Sequence, residues 1–177
     1  MRTGDTLSGL SKITATGNLK FKQGKKKEQF NYRDVERLIR GSGDSKDVYV
    51  YRVLAGQQPE LFKVVREYKD KIYLYAQDVQ ANSNAMGGTM GGGLNVSVGT
   101  SMSYTIMHYY VNKNGNHIVK ELGHDHPIFG NGSFKKNLKE FFNDCPELIK
   151  MVDNNDFKRV DTPEMVDIYV EECAGKQ

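Results

Sequence analysis

Over SFKKNLKEFFNDCPELIKMV, Ser133 to Val152, the apolar residues Phe134, Leu138, Phe141, Cys145, Leu148 and Val152 recur at alternating steps of four and three. That spacing is the period of a helix with one buried face. Ser133 has the side chain of an N-cap. Pro146 interrupts the stripe, which predicts two abutting helices, the second capped by Asp144 with the proline in its first turn. Asp161-Thr162-Pro163-Glu164 starts a further helix, with Val166, Tyr169, Val170 and Cys173 on one face.

The chain ahead of this tail has a different period. Leu19-Lys20-Phe21-Lys22 alternates as a half-buried strand does and stops at Gly24, with Lys25, Lys26 and Lys27 at a hairpin tip. Asp34 to Arg40 fits either a helical turn or a strand, and residues 41–45 read as a loop. Val48 to Leu54 is rich in β-branched and aromatic residues and predicts a strand. Leu61 to Tyr68 and Lys71 to Gln77 read as a hairpin. Tyr104 to Asn112 and Asn116 to Leu122 flank the Asn114-Gly115 turn signal. Between these hairpins, Ala81 to Gly99 is glycine- and methionine-rich, which predicts a flexible loop. Strands followed by helices make an α+β fold: an antiparallel sheet or open barrel of hairpins, with two or three C-terminal helices packed on it in a single domain, 1–177.

Composition narrows the function classes. The chain has 177 residues, 38% of them hydrophobic, enough for one core, and a net charge of +3, too small for a dedicated nucleic-acid binder. The charge is uneven: residues 1–40 carry ten basic and four acidic groups, whereas residues 144–173 carry three basic and nine acidic ones. No apolar stretch approaches the roughly 18 residues of a membrane span. Met1 is followed by Arg-Thr-Gly-Asp rather than an apolar leader, so the chain is either cytoplasmic or begins after a removed signal peptide.

Gly4-Asp5-Thr6-Leu7-Ser8-Gly9, Phe30 to Val35, Tyr109-Tyr110-Val111 with its Asn-Gly turn, and Phe134 to Pro146 closing with Tyr169 to Cys173 together resemble uncharacterised secreted or envelope-associated β-rich proteins of the Bacteroidota. The resemblance implies a periplasmic, secreted or envelope location and a removed leader. It implies no activity, cofactor or catalytic residue.

Several groups of residues are candidates for chemistry. Cys145 and Cys173 lie on apolar helix faces and meet if those helices pack together; they pair in an oxidising compartment and stay buried thiols in the cytoplasm. His124-Asp125-His126 sets two imidazoles on one side of an extended segment, as two metal ligands would be, or is a polar loop before Pro127. If the Asn114-Gly115 turn has two residues, His108 faces Glu121 and His117 faces Asn112, too far apart to share an ion. Lys20, Lys22, Lys25, Lys26 and Lys27 interleave with Phe21, as a single-strand nucleic-acid surface would, or protect a sheet edge. Tyr49, Tyr51, Tyr73, Tyr75, Tyr109 and Tyr110 fall on strands and form a binding face for a flat ligand, glycan or partner chain, or rim an ordinary core. No nucleotide-binding glycine motif or nucleophile elbow is present. The leading expectation is a non-enzymatic envelope module binding an unknown protein or small ligand, with no cofactor. The alternatives are a metal-binding protein or metal-dependent enzyme using His124 and His126, and nucleic-acid binding through the lysines.

Overall fold

The computed structural model describes residues 1, 4–14, 17–43, 45–68, 71–84, 101–113, 115–124 and 132–174, with the backbone alone at 80–84, 101–104 and 132. Strands come first: β1 (Leu10–Ile13), β2 (Leu19–Gln23), β3 (Lys26–Phe30), β4 (Arg37–Ser42), β5 (Ser45–Leu54), β6 (Glu60–Glu67), β7 (Tyr73–Asn84), β8 (Ser101–Asn112) and β9 (Ile118–His124). Helices α1 (Gly132–Phe141), α2 (Pro146–Asn154) and α3 (Thr162–Glu172) follow, with a 3-10 turn at Arg159–Asp161 before α3. This is the α+β order that the two periods of the sequence require.

Strands β5 to β9 form an antiparallel meander, each paired with the next. The first and fifth strands of a meander run the same way, so the sheet can close only through a parallel pair. Val53 opposite Ile118 and Leu54 opposite Val119 make that pair, with the Val53 N–H donating to the His117 carbonyl at 2.9 Å. The result is a small barrel filled by side chains. Val50, Phe62, Tyr75, Tyr110 and Val119 form its interior, and Phe62 meets Tyr110 edge-on at 4.8 Å.

The alternate residues of β7, β8 and β9 cannot face water, because Leu74, Ala76, Tyr109, Val111 and Leu122 are covered by the helices. Phe134, Leu138, Phe142, Leu148, Met165, Val166 and Tyr169 supply the cover. Strands buried on both faces lose the alternation of a half-exposed sheet.

The N-terminal strands form a separate antiparallel sheet in the order β1-β2-β3. Its inner face packs Ile13, Leu19 and Phe30 against Val35, Leu38, Tyr49 and Tyr51, and the Tyr51 hydroxyl donates to the Gly17 carbonyl at 2.9 Å.

Local expectations are corrected at several positions. Gln23 pairs with Lys26, so Lys26 and Lys27 belong to β3 rather than to a hairpin tip. Arg37 to Ser42 is strand, and Ser42 pairs with Ser45, so residues 41 and 42 are not loop. Gly41 adopts φ 108°, and an added Cβ would strike the Ser45 carbonyl, so only glycine fits there. Residues 81–84 continue β7 out to a pair between Asn84 and Ser101; the rest of the expected flexible loop lies outside the described residues. Helix α1 begins at Gly132, so Ser133 is inside it and does not cap it. The N-cap of α2 is Cys145, not Asp144, while Pro146 does occupy its first turn.

Candidate functional site

The connection between β8 and β9 decides where the histidines lie. A two-residue turn would set His108 opposite Glu121. The turn is longer: Val111 faces Lys120 and Tyr110 faces Glu121. A bulge between Tyr109 and Tyr110 then shifts the ladder again, so that Tyr109 faces Gly123 and His108 faces His124. The rings of His108 and His124 are 5.2 Å apart.

His108 Nδ1 lies 3.0 Å from Oε1 of Glu121. A carboxylate only accepts, so Nδ1 carries a proton in this contact. His124 is approached instead by a guanidinium, with Arg159 Nη1 at 3.3 Å from its Nδ1. A fixed positive charge at that distance opposes a bound cation there. His126 lies outside the described residues. Among the described residues, no group of three or more metal-ligating side chains converges.

The strand face that carries His108 also carries Tyr110 and, across the sheet, Tyr75. Arg52 Nε donates to the Tyr75 hydroxyl at 2.8 Å and Nη1 donates to the Tyr51 carbonyl at 2.9 Å. Burial raises the Tyr75 hydroxyl above its ordinary range, and Arg52 offsets part of that. Tyr110 is pushed up by burial and then by Glu121 and Glu60, which oppose a phenolate beside them. Gln77 Nε2 donates to Glu60 at 3.0 Å. One part of the barrel thus holds a chain of amphoteric and charged groups against an aromatic interior.

A cleft of about 650 Å³ separates the N-terminal sheet from the barrel wall. It is lined by the apolar Leu61 and Val79 together with Arg40, Tyr49, Glu60, Lys63, Gln77 and Asp78. The volume falls in the range of small-molecule sites, roughly 300–1,000 Å³. Lys63 is fixed by an ion pair with Asp47 at 2.7 Å, and the hydrogen bond to that carboxylate raises its pKa against the opposing effect of burial. Glu60 and Gln77 carry no linear motif. Their place on adjacent strands became readable only with the register of β6 against β7.

The six tyrosines do not share an exposed face. Tyr75 and Tyr110 lie inside the barrel with Tyr73 partly buried beside them, and Tyr109 lies under the helices. Tyr51 and Tyr49 pack against the N-terminal sheet, and of the six only Tyr49 reaches the cleft. The lysines separate from the aromatics for the same reason: Lys20 and Lys22 point away from the inner face that holds Phe21, so Lys-Phe-Lys puts base and ring on opposite sides of β2. A stacking surface for bases needs both on one side.

Cys145 and Cys173 form a disulfide, with Cα atoms 5.6 Å apart. It joins the start of α2 to the end of α3. Beside it, Lys113 Nζ donates to both oxygens of Asp144, at 2.9 and 3.0 Å, and to the Phe141 carbonyl. The Tyr169 hydroxyl donates to Asp144 at 2.7 Å. Burial would raise the Asp144 carboxyl, but Tyr169 and Lys113 outweigh it and hold it below the usual range.

Comparison of the chain with protein-family models, with curated proteins and with solved structures finds no match. Among the described residues, no helix is long and apolar enough to cross a membrane.

Proposed function

We propose that this protein is a non-enzymatic binding module of an oxidising compartment, periplasmic or secreted, that holds a small polar ligand in the cleft between its two sheets. The cleft carries the reading: charges of both signs, Arg40 and Lys63 with Glu60 and Asp78, line it beside the apolar Leu61 and Val79. A ligand with both an anionic and a cationic or hydrogen-bonding group fits that lining. The compartment is supported by the disulfide, since such bridges persist where thiols are not kept reduced, and by the resemblance to envelope-associated proteins of the Bacteroidota.

The test is a thermal-shift screen against amino acids, short peptides, sugar acids and nucleotides, run on the unmodified chain and on Val79→Trp, which fills the cleft from a residue 41% exposed. A ligand at about a hundred times its Kd stabilises by about 2.7 kcal/mol, which for a chain of this length raises Tm by about 7 °C. The expected result is such a shift with one chemical class, abolished by Val79→Trp. Shifts that survive in Val79→Trp would place the ligand elsewhere and refute the reading.

A further inference from the structure

The outer face of the N-terminal sheet is built from two cross-strand rows. Lys12, Lys20 and Gln29 face one another across β1, β2 and β3, and Leu10, Lys22 and Lys27 make the next row. All six side chains are exposed. Strand and pleat spacings put the four ammonium-bearing positions within a patch of about 10 Å by 7 Å, in which each lysine has another within about 7 Å, less than the Debye length of about 8 Å at physiological ionic strength.

Two features separate this face from an ordinary solvated surface. Lys12 stands directly opposite Lys20, and Lys22 directly opposite Lys27. Like charges in such pairs oppose folding. Protection of a sheet edge accounts for lysines on β1 or β3, but Lys20 and Lys22 are on β2, the central strand, which has no edge to protect. The concentration of charge is therefore suited to an anionic partner.

Leu10 identifies the kind of partner. It is 74% exposed, in one row with Lys22 and Lys27. The lysine stems around it are apolar, so that Leu10 and the stems can enter a bilayer interface while the ammonium groups stay with the phosphates. A soluble polyanion gains nothing from an exposed leucine, and the aromatic rings that would stack on nucleic-acid bases, Phe21 and Phe30, pack on the opposite face. We propose that the outer face of the β1–β2–β3 sheet docks on an anionic phospholipid surface through Lys12, Lys20, Lys22 and Lys27, with Leu10 entering the interface. This surface is distinct from the cleft and does not depend on it.

Co-sedimentation of the full, disulfide-bonded chain with phosphatidylcholine vesicles, with and without about 30 mol% phosphatidylglycerol, tests the proposal. Binding is expected only with phosphatidylglycerol, weakening with salt and falling about fivefold for each of Lys12→Gln, Lys20→Gln, Lys22→Gln and Lys27→Gln. Lys20→Arg with Lys22→Arg should retain it. Leu10→Ser should weaken vesicle binding about tenfold and leave any binding to an oligothymidylate unchanged. Equal binding to neutral vesicles, full binding by the glutamine variants with unchanged Tm, or a preference for oligothymidylate that ignores Leu10→Ser would each overturn it.

Discussion

Replacing Cys145 and Cys173 by alanine removes the link between the start of α2 and the end of α3. The bridged residues are 28 apart in sequence. Closing a loop of that size removes unfolded-state entropy worth about 3.6 kcal/mol at 25 °C in the chain-entropy treatment. Unfolding entropy scales with length at about 2.1 cal/mol/K per residue, so the expected fall in Tm is about 10 °C. The fold should survive. Cys145 is 1% exposed within the main core, and Lys113, Asp144 and Tyr169 tie the same helix ends together without the bridge. Alanine rather than serine is the right replacement, since a buried hydroxyl would add a desolvation cost unrelated to the bridge. Differential scanning calorimetry of Cys145→Ala/Cys173→Ala, beside the unmodified protein with and without reductant, measures the effect. A Tm lowered by less than about 3 °C in both the variant and the reduced protein would show that the bridge does not constrain the chain in the way its loop length implies.

The Lys113–Asp144–Tyr169 network should give stability a pH signature. Asp144 has a folded pKa below its ordinary 3.8, so its contribution is present above that value and is lost as pH falls through the lower folded one. Tyr169 is shifted the other way, by burial and by Asp144, so stability should fall as pH rises from its ordinary 10.0, where the unfolded chain ionises first. Urea denaturation across pH should show both limbs, and Lys113→Met should cost about 2 kcal/mol at neutral pH and flatten the acid limb. Gly123→Ala would place a Cβ 2.5 Å from Cδ2 of Phe134, a residue of α1 that is 5% exposed. The expected loss is about 1–3 kcal/mol, read as a lower urea midpoint with unchanged slope; a neutral outcome would mean that the bulge does not press β9 against the helix.

The helical tail was legible because its physics is local. A stripe at steps of four and three needs one covered face, and two such stripes carrying Cys145 and Cys173 bring the sulfurs together. The hairpins of the sheet were legible as strands but not in register. Asn114-Gly115 suggested a two-residue turn, and the longer connection with the bulge at Tyr109/Tyr110 moved His124 opposite His108. The tyrosines misled for another reason: with both faces of β7 and β8 buried, alternation no longer separates inside from outside. The cleft and the lysine face depend on strand order, which side-chain patterns do not encode. Leu10–Ile13 had no clear strand pattern, and without β1 in place β2 reads as an edge rather than a centre.

A ligand held in the cleft would shift the NMR signals of the residues that line it, which a map of backbone and side-chain shifts in the isotope-labelled chain, titrated with the ligand class that stabilises it most, would show. Perturbations should concentrate at Arg40, Tyr49, Lys63, Gln77 and Asp78, with saturation at one equivalent. Perturbations centred instead on His108, Glu121 and His124, or spread over the surface without saturating, would contradict binding in the cleft.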